Sequence, residues 1–291
     1  MKYKNILRFA LLCAFFVLLL CKPRLTGELT FARLSFFVHT VFPSLFVSLC
    51  LSGMLVTSPA ARVLYRFPFG VECTVFVLGV LCGFPVGARC ALLLYRGGVI
   101  TKRRAEFLCG CTNVASLPFL IGVVGSTMAG DMAFGVRLAA LQAACAALAG
   151  GCLYFVFRPL CNGVQMPAVQ ETIPTVSASV AKGAHTMLEL GGMLIFFGVA
   201  ADVLIQISSL QGVGAVLLSG LLEFSSGCAD ALAYGGEVGT LLAVLAVGCS
   251  GLCVFSQVAS VTEGELSMRP YLLGKLVQTA LMGAFAILTN V

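Results

Sequence analysis

Apolar segments follow one another near residues 6–21, 34–56, 69–94, 105–128, 133–157, 184–207, 212–234, 238–262 and 270–290. Most are close to the roughly 20 residues that carry a helix across a bilayer. The connectors are short and polar, which predicts an all-α polytopic membrane protein. The longest connector, Arg158–Lys182, carries Pro159, Pro167 and Pro174 and divides the chain near its middle. It reads as a linker between two halves.

The segment at 69–94 is interrupted by "LCGFPVGARC", Leu81–Cys90. Gly83 and Gly87 free the backbone there and Pro85 blocks helix continuation. Irregular backbone survives at membrane depth only under protein or beside a water-filled cavity. A segment that enters, turns at "GFPVG" and leaves by the same side accounts for the break. Charge agrees: Arg62 and Arg66 precede the hairpin, and Arg96, Lys102, Arg103 and Arg104 follow it. Both loops then lie on the cytoplasmic side. Lys22, Arg24 and Arg33 fit this scheme poorly, because it puts them outside.

The two halves resemble each other at a nearly constant offset. "SGMLV" (Ser52–Val56) matches "GGMLI" (Gly191–Ile195). "LGVLCGFPVGARCAL" (Leu78–Leu92) matches "LSGLLEFSSGCADAL" (Leu218–Leu232), and "GCTNV" (Gly110–Val114) matches "GCSGL" (Gly248–Leu252). The second half therefore has its own hairpin, with its turn at "LEFSSGCAD" and Asp230 and Glu237 on its flanks. Three crossings and one hairpin per half make the repeats inverted, an arrangement used for alternating access. The expected organisation is an anchor helix over 1–33, a first repeat over 34–158, a linker over 159–183 and a second repeat over 184–291.

Composition adds limits. The chain of 291 residues is 59% hydrophobic and 10% charged, against about 25% charged in soluble domains. Its net charge of +6 reports loop orientation and not nucleic-acid binding. Most of the 14 cysteines lie in apolar runs, where Cys acts as a small hydrophobe. No C-x-x-C and only two histidines, His39 and His185, leave no expected metal, cofactor or redox centre. Nucleophile-elbow, phosphate-loop and metalloprotease motifs are missing from the sequence, so an enzyme is not expected. The N-terminus has a basic start and an apolar core but no small-x-small cleavage site, and reads as an uncleaved helix.

The segments after each hairpin are also interrupted. "GCTNVASLP" places Thr112, Asn113 and Ser116 before Pro118, and "GCSGLCVFSQ" places Ser250, Ser256 and Gln257 in the counterpart. Opened helices free backbone groups that bind solute near the midplane; a kinked helix whose hydroxyls satisfy its own carbonyls gives the same pattern. The candidate solute-binding residues are Gly83, Pro85, Gly87, Arg89, Thr112, Asn113, Ser116, Glu223, Ser225, Ser226, Ser250 and Gln257. Arg89 offers a planar fork for a carboxylate, or pairs with Glu223, or snorkels to the interface. Glu189 and Glu223 are intramembrane acids and candidates for a coupling cation. Either acid serves equally as a structural partner for an arginine.

The run Cys82–Gly125 resembles the YlbJ-type sporulation integral membrane proteins, which carry the nucleoside-recognition gate domain. The shared pattern is G-F-P-x-G-A, a short basic loop with I-T, and a Cys/Asn segment. It falls here on Gly83, Phe84, Pro85, Gly87, Ala88, Ile100, Thr101 and Asn113. "GLCVFSQV" near the C-terminus resembles the second gate segment. Val86 departs from the Ser or Thr common in the family. The resemblance implies hairpins similar to those of concentrative nucleoside carriers, and movement of dipicolinic acid, a small aromatic dianion, during spore formation.

The expectation is an all-α protein of about seven spanning helices and two re-entrant hairpins. Its partners would be the bilayer, a small anionic solute and a coupling cation, with oligomers allowed. A nucleoside or other small-solute carrier and a non-transporting scaffold of spore assembly are the alternatives.

Overall fold

The computed structural model describes residues 2–157 and 175–289. Most of the linker expected over 159–183 lies outside the described residues. The described residues are all-helical, with no strand among them. Among the described residues, five helical stretches, Pro23–Thr57, Met132–Phe157, Val176–Ser208, Gly236–Val261 and Arg269–Thr289, are long and apolar enough to cross a membrane.

Helix α1 covers Lys2–Cys21. Lys22 separates it from α2, Pro23–Phe36, which runs through a π-helical turn, Phe37–Val41, into α3, Phe42–Thr57. Residues 23–33 are thus continuous with the first long span. The short α4, Pro59–Tyr65, starts at Ser58, whose hydroxyl accepts the Ala61 N–H. It leads into α5, Gly70–Cys82, and α6, Val86–Arg96. Next come α7, Lys102–Thr112, a π-helical stretch, Phe119–Ala129, and α8, Met132–Phe157. The second half begins with α9, Val176–Ser208. Then follow α10, Gly212–Leu222, and α11, Phe224–Tyr234. Helix α12, Gly236–Cys249, is followed by α13, Gly251–Val261, and α14, Arg269–Thr289.

The pairs α5–α6 and α10–α11 are the two hairpins. Glu72, in the first turn of α5, pairs with Arg104, in the first turn of α7, at 2.6 and 2.8 Å. Arg96, in the last turn of α6, lies only a short loop before α7. Both ends of the first hairpin therefore meet the start of α7, as a re-entrant segment must. In the second hairpin Gly212 and Tyr234 line one cavity, so its ends also share a face. Arg96 bonds Glu263 and Glu265 beyond α13, which puts that loop on the same face as Arg96.

The side chains are sorted for a bilayer. On α14, Lys275 and Gln278 are buried, while Leu276 and Leu288 are exposed. On α8, Gln142 is fully buried and Phe155 is exposed. Polar atoms turn inward because hydrocarbon cannot hydrogen-bond them. The chain is an integral membrane protein.

Candidate functional site

The two hairpins point their tips at each other. Phe84 and Phe224, matched in the internal repeat, contact edge to face with centroids 5.0 Å apart. Phe119, just past the first helix break, lies 5.3 Å from Phe224. Beside these rings is a cavity of about 40 Å³. Its polar lining comes from Ser116, Glu223, Ser225 and Gln257, and Gly83 contributes backbone. Ligand pockets for small molecules run to about 300–1,000 Å³, so this space is too small for a drug-sized solute as it stands.

At the first tip the Phe84–Pro85 peptide is cis, and Gly83 has φ +80°. A β-carbon on Gly83 would lie 2.8 Å from the Ser116 side chain, so the tip reaches the break only because residue 83 has none. The Phe84 N–H donates to the Val114 carbonyl at 2.8 Å. The Asn113 amide joins the same elements: its Oδ1 accepts the Ala88 N–H at 3.0 Å and its Nδ2 donates to the Cys109 carbonyl at 2.9 Å. Asn113 caps α6 from the end of α7.

The second tip caps itself. Glu223 accepts the N–H groups of Ser225 and Ser226 at 3.0 and 2.8 Å, and both hydroxyls as well. A carboxylate at a helix N-terminus is favoured by the dipole and by the free amides. Its charge is therefore held by four donors, and no cation contacts it among the described residues.

The breaks are served by the helices that follow them. Gln142 of α8 accepts the Ala115 N–H at 3.0 Å and donates to the Ala115 carbonyl at 2.8 Å. In the second half Ser250 sits at φ 62°, and Lys275 of α14 donates to its hydroxyl at 2.9 Å and to Gln278 at 3.3 Å. Sequence reading missed Gln142 and Lys275, because each acts on a break far away in the chain. The signal available was a polar side chain inside an otherwise apolar span.

Other candidates lie around this centre. Thr112 bonds back to the Leu108 carbonyl at 2.7 Å, and Gly87 packs against Thr112. Arg89, in the first turn of α6, does not line the cavity; its guanidinium donates to the Leu49 carbonyl at 3.3 Å. Leu49 is one turn beyond Leu45, which does line it, so Arg89 lies off the cavity toward the basic face. Glu189 accepts from Ser260 at 3.2 Å near the end of α13, away from Glu223. Ser226 also lines an open vestibule of about 770 Å³, where its hydroxyl accepts from Arg33, which in turn pairs with Asp202. That pairing resolves the misfit of Arg33 in the charge pattern: it is matched by an acid.

No protein-family model matches the chain. No solved structure matches it either. It is similar to the sporulation integral membrane protein YlbJ of Bacillus subtilis (strain 168), with 24% identity. That match covers 96% of this chain and 82% of that protein, and it bears out the resemblance read in Cys82–Gly125 to the YlbJ-type sporulation integral membrane proteins.

Proposed function

We propose that this protein carries a small anionic solute across a membrane by alternating access, and that the solute is dipicolinic acid. The observation that supports this most is the meeting of two hairpin tips, Phe84 on Phe224, beside a mainly apolar cavity that Ser116, Glu223, Ser225 and Gln257 edge with polar groups. Inverted-repeat carriers bind solute at such a point. A space this small corresponds to a solute-free arrangement with the tips together, and separation of the tips would enlarge it and open it to one side or the other.

An anion suits the charges around the path. Arg89, a cation, and Lys275, a buried amine, lie within the helical body, and neither contacts a carboxylate among the described residues. An arginine in that setting is best completed by a transient carboxylate partner. The four donors on Glu223 stabilise its carboxylate without cancelling the charge, so a cation bound beside it would offset its repulsion of the solute. Glu223 and Glu189 remain the groups we assign to a coupling cation.

Uptake of labelled dipicolinate into vesicles containing the purified protein tests the proposal. Uptake above that of empty vesicles, and competed less by nucleosides than by dipicolinate, supports it. Preferred uptake of nucleosides would replace the solute. No uptake of either, with folded protein, would favour a scaffold.

A further inference from the structure

Arg33, on α2, is the one arginine in contact with both the second hairpin's tip and another long helix, among the interactions the structure describes. Its Nη2 donates to both oxygens of Asp202 on α9 at 2.7 Å, and its Nε to Oδ2 at 3.1 Å. Its Nη1 donates to the Ser226 hydroxyl, which in turn donates to Glu223 at 2.6 Å. Both charged side chains are 20% exposed, on the wall of the open vestibule. Ser225 lines the vestibule and the central cavity alike, so the tip of α11 is the partition between them.

The slot for Arg33 is built. Gly198, one turn before Asp202 on α9, faces the arginine stem: a β-carbon there would lie 2.9 Å from Cδ and 3.0 Å from Nε. A planar guanidinium held this way presents two parallel donors to any carboxylate. At present the carboxylate is a side chain of the protein itself.

We propose that Arg33 is the outer carboxylate-binding site of the solute path, and that Asp202 is a tethered competitor that closes the site and expels the solute. When the tip of α11 moves, Ser226 leaves Arg33 and a carboxylate from the central cavity replaces Asp202. Return of Asp202 then drives the solute into the vestibule. Asp230 also lines the vestibule and repels a released anion. The order of charges, Arg89 toward the basic face and Asp202 and Asp230 on the opposite one, favours export over uptake. This inference rests on the anion-carrier reading above for its solute but not for its gate.

The test uses full-length protein in detergent, with monodispersity checked for each variant. Amide exchange is measured over residues 222–228, together with dipicolinate binding. Asp202→Asn and Arg33→Gln should each speed exchange at the tip by about tenfold or more, since each strands the partner of a half-buried pair. The swap Arg33→Asp with Asp202→Arg should slow it again. Asp202→Asn should bind dipicolinate about tenfold more tightly, because the competitor has lost its charge. It should also release the solute more slowly. Arg33→Gln should bind it more weakly than wild type. Unchanged exchange in both single variants would overturn the gate, whatever transport does. Unchanged affinity in Asp202→Asn would overturn the competition. Faster tip exchange in a protein that binds no dipicolinate in any form would leave the gate standing and remove the solute proposed above.

Discussion

Phe84 and Phe224 stand at equivalent places in two repeats and touch each other edge to face, with ring centroids 5.0 Å apart. One contact thus joins the tips of two hairpins that enter from opposite faces. Both rings are buried. Because lipid is as apolar as a side chain, burial drives such contacts less than in water, and packing geometry counts for more.

Phe84→Ala and Phe224→Ala should not be additive. An aromatic pair is worth about 0.5–1.5 kcal/mol beyond its buried area. A double-mutant cycle on thermal unfolding should return a coupling of that size. Zero coupling would mean that the tips are not in contact in solution.

Glu72 and Arg104 form the ion pair at the base of the first hairpin, with side chains 14% and 4% exposed. Removing one partner of a buried pair costs about 3–5 kcal/mol. Arg104→Gln should therefore lower the melting temperature more than Arg104→Lys. Replacing both with methionine should recover much of the loss. An undiminished melting temperature in Arg104→Gln would show that α5 is not anchored to α7.

Gln142→Ala leaves both backbone groups of Ala115 without their side-chain partner. An unmade buried hydrogen bond costs about 1–3 kcal/mol. Gln142→Leu loses both bonds but keeps most of the volume, so it leaves a smaller cavity than alanine and should be intermediate. A denaturant series read by intrinsic fluorescence of the six tyrosines would order the three proteins.

Lys275→Met keeps length and apolar volume while removing the buried ammonium. A lysine with only Ser250 and Gln278 as partners stabilises little once its desolvation is counted. The melting temperature should hold or rise, while dipicolinate uptake should fall by about tenfold or more if this charge serves the anion. Full uptake with a stable protein would place Lys275 outside the solute path.

The loop link between Arg96 and Glu263 should depend on pH. Arg96 beside Glu263 holds its carboxyl below the usual carboxylate range. A carboxyl lowered by folding stabilises the fold above its unfolded value, about 4.3 for Glu. That contribution is lost as pH falls through the lower, folded value. Both side chains are substantially exposed, so the effect is local and salt-sensitive. Amide exchange over 262–268, corrected for intrinsic rate, should rise between pH 7 and pH 3 and in high salt at pH 7. The same rise in an Arg96→Gln variant would assign it to another group.

The sequence by itself determined the elements. Apolar segments at 212–234, 238–262 and 270–290 became helices over 212–234, 236–261 and 269–289. Gly83 and Pro85 located the first turn, because glycine and proline act on the local backbone whatever surrounds them, and the repeat match to "LEFSSG" located the second. Asn113 and Ser250 marked the helix breaks as polar residues in the middle of apolar segments. Tertiary structure decided which polar groups meet. Arg33 found Asp202, Gln142 found Ala115 and Lys275 found Ser250 across large separations in the chain. Arg89 was readable as a cation near a turn, but its contact with the Leu49 carbonyl depends on where α3 packs. Helical periodicity fixes the face on which a residue lies; only the packing of one helix on another fixes what that face meets.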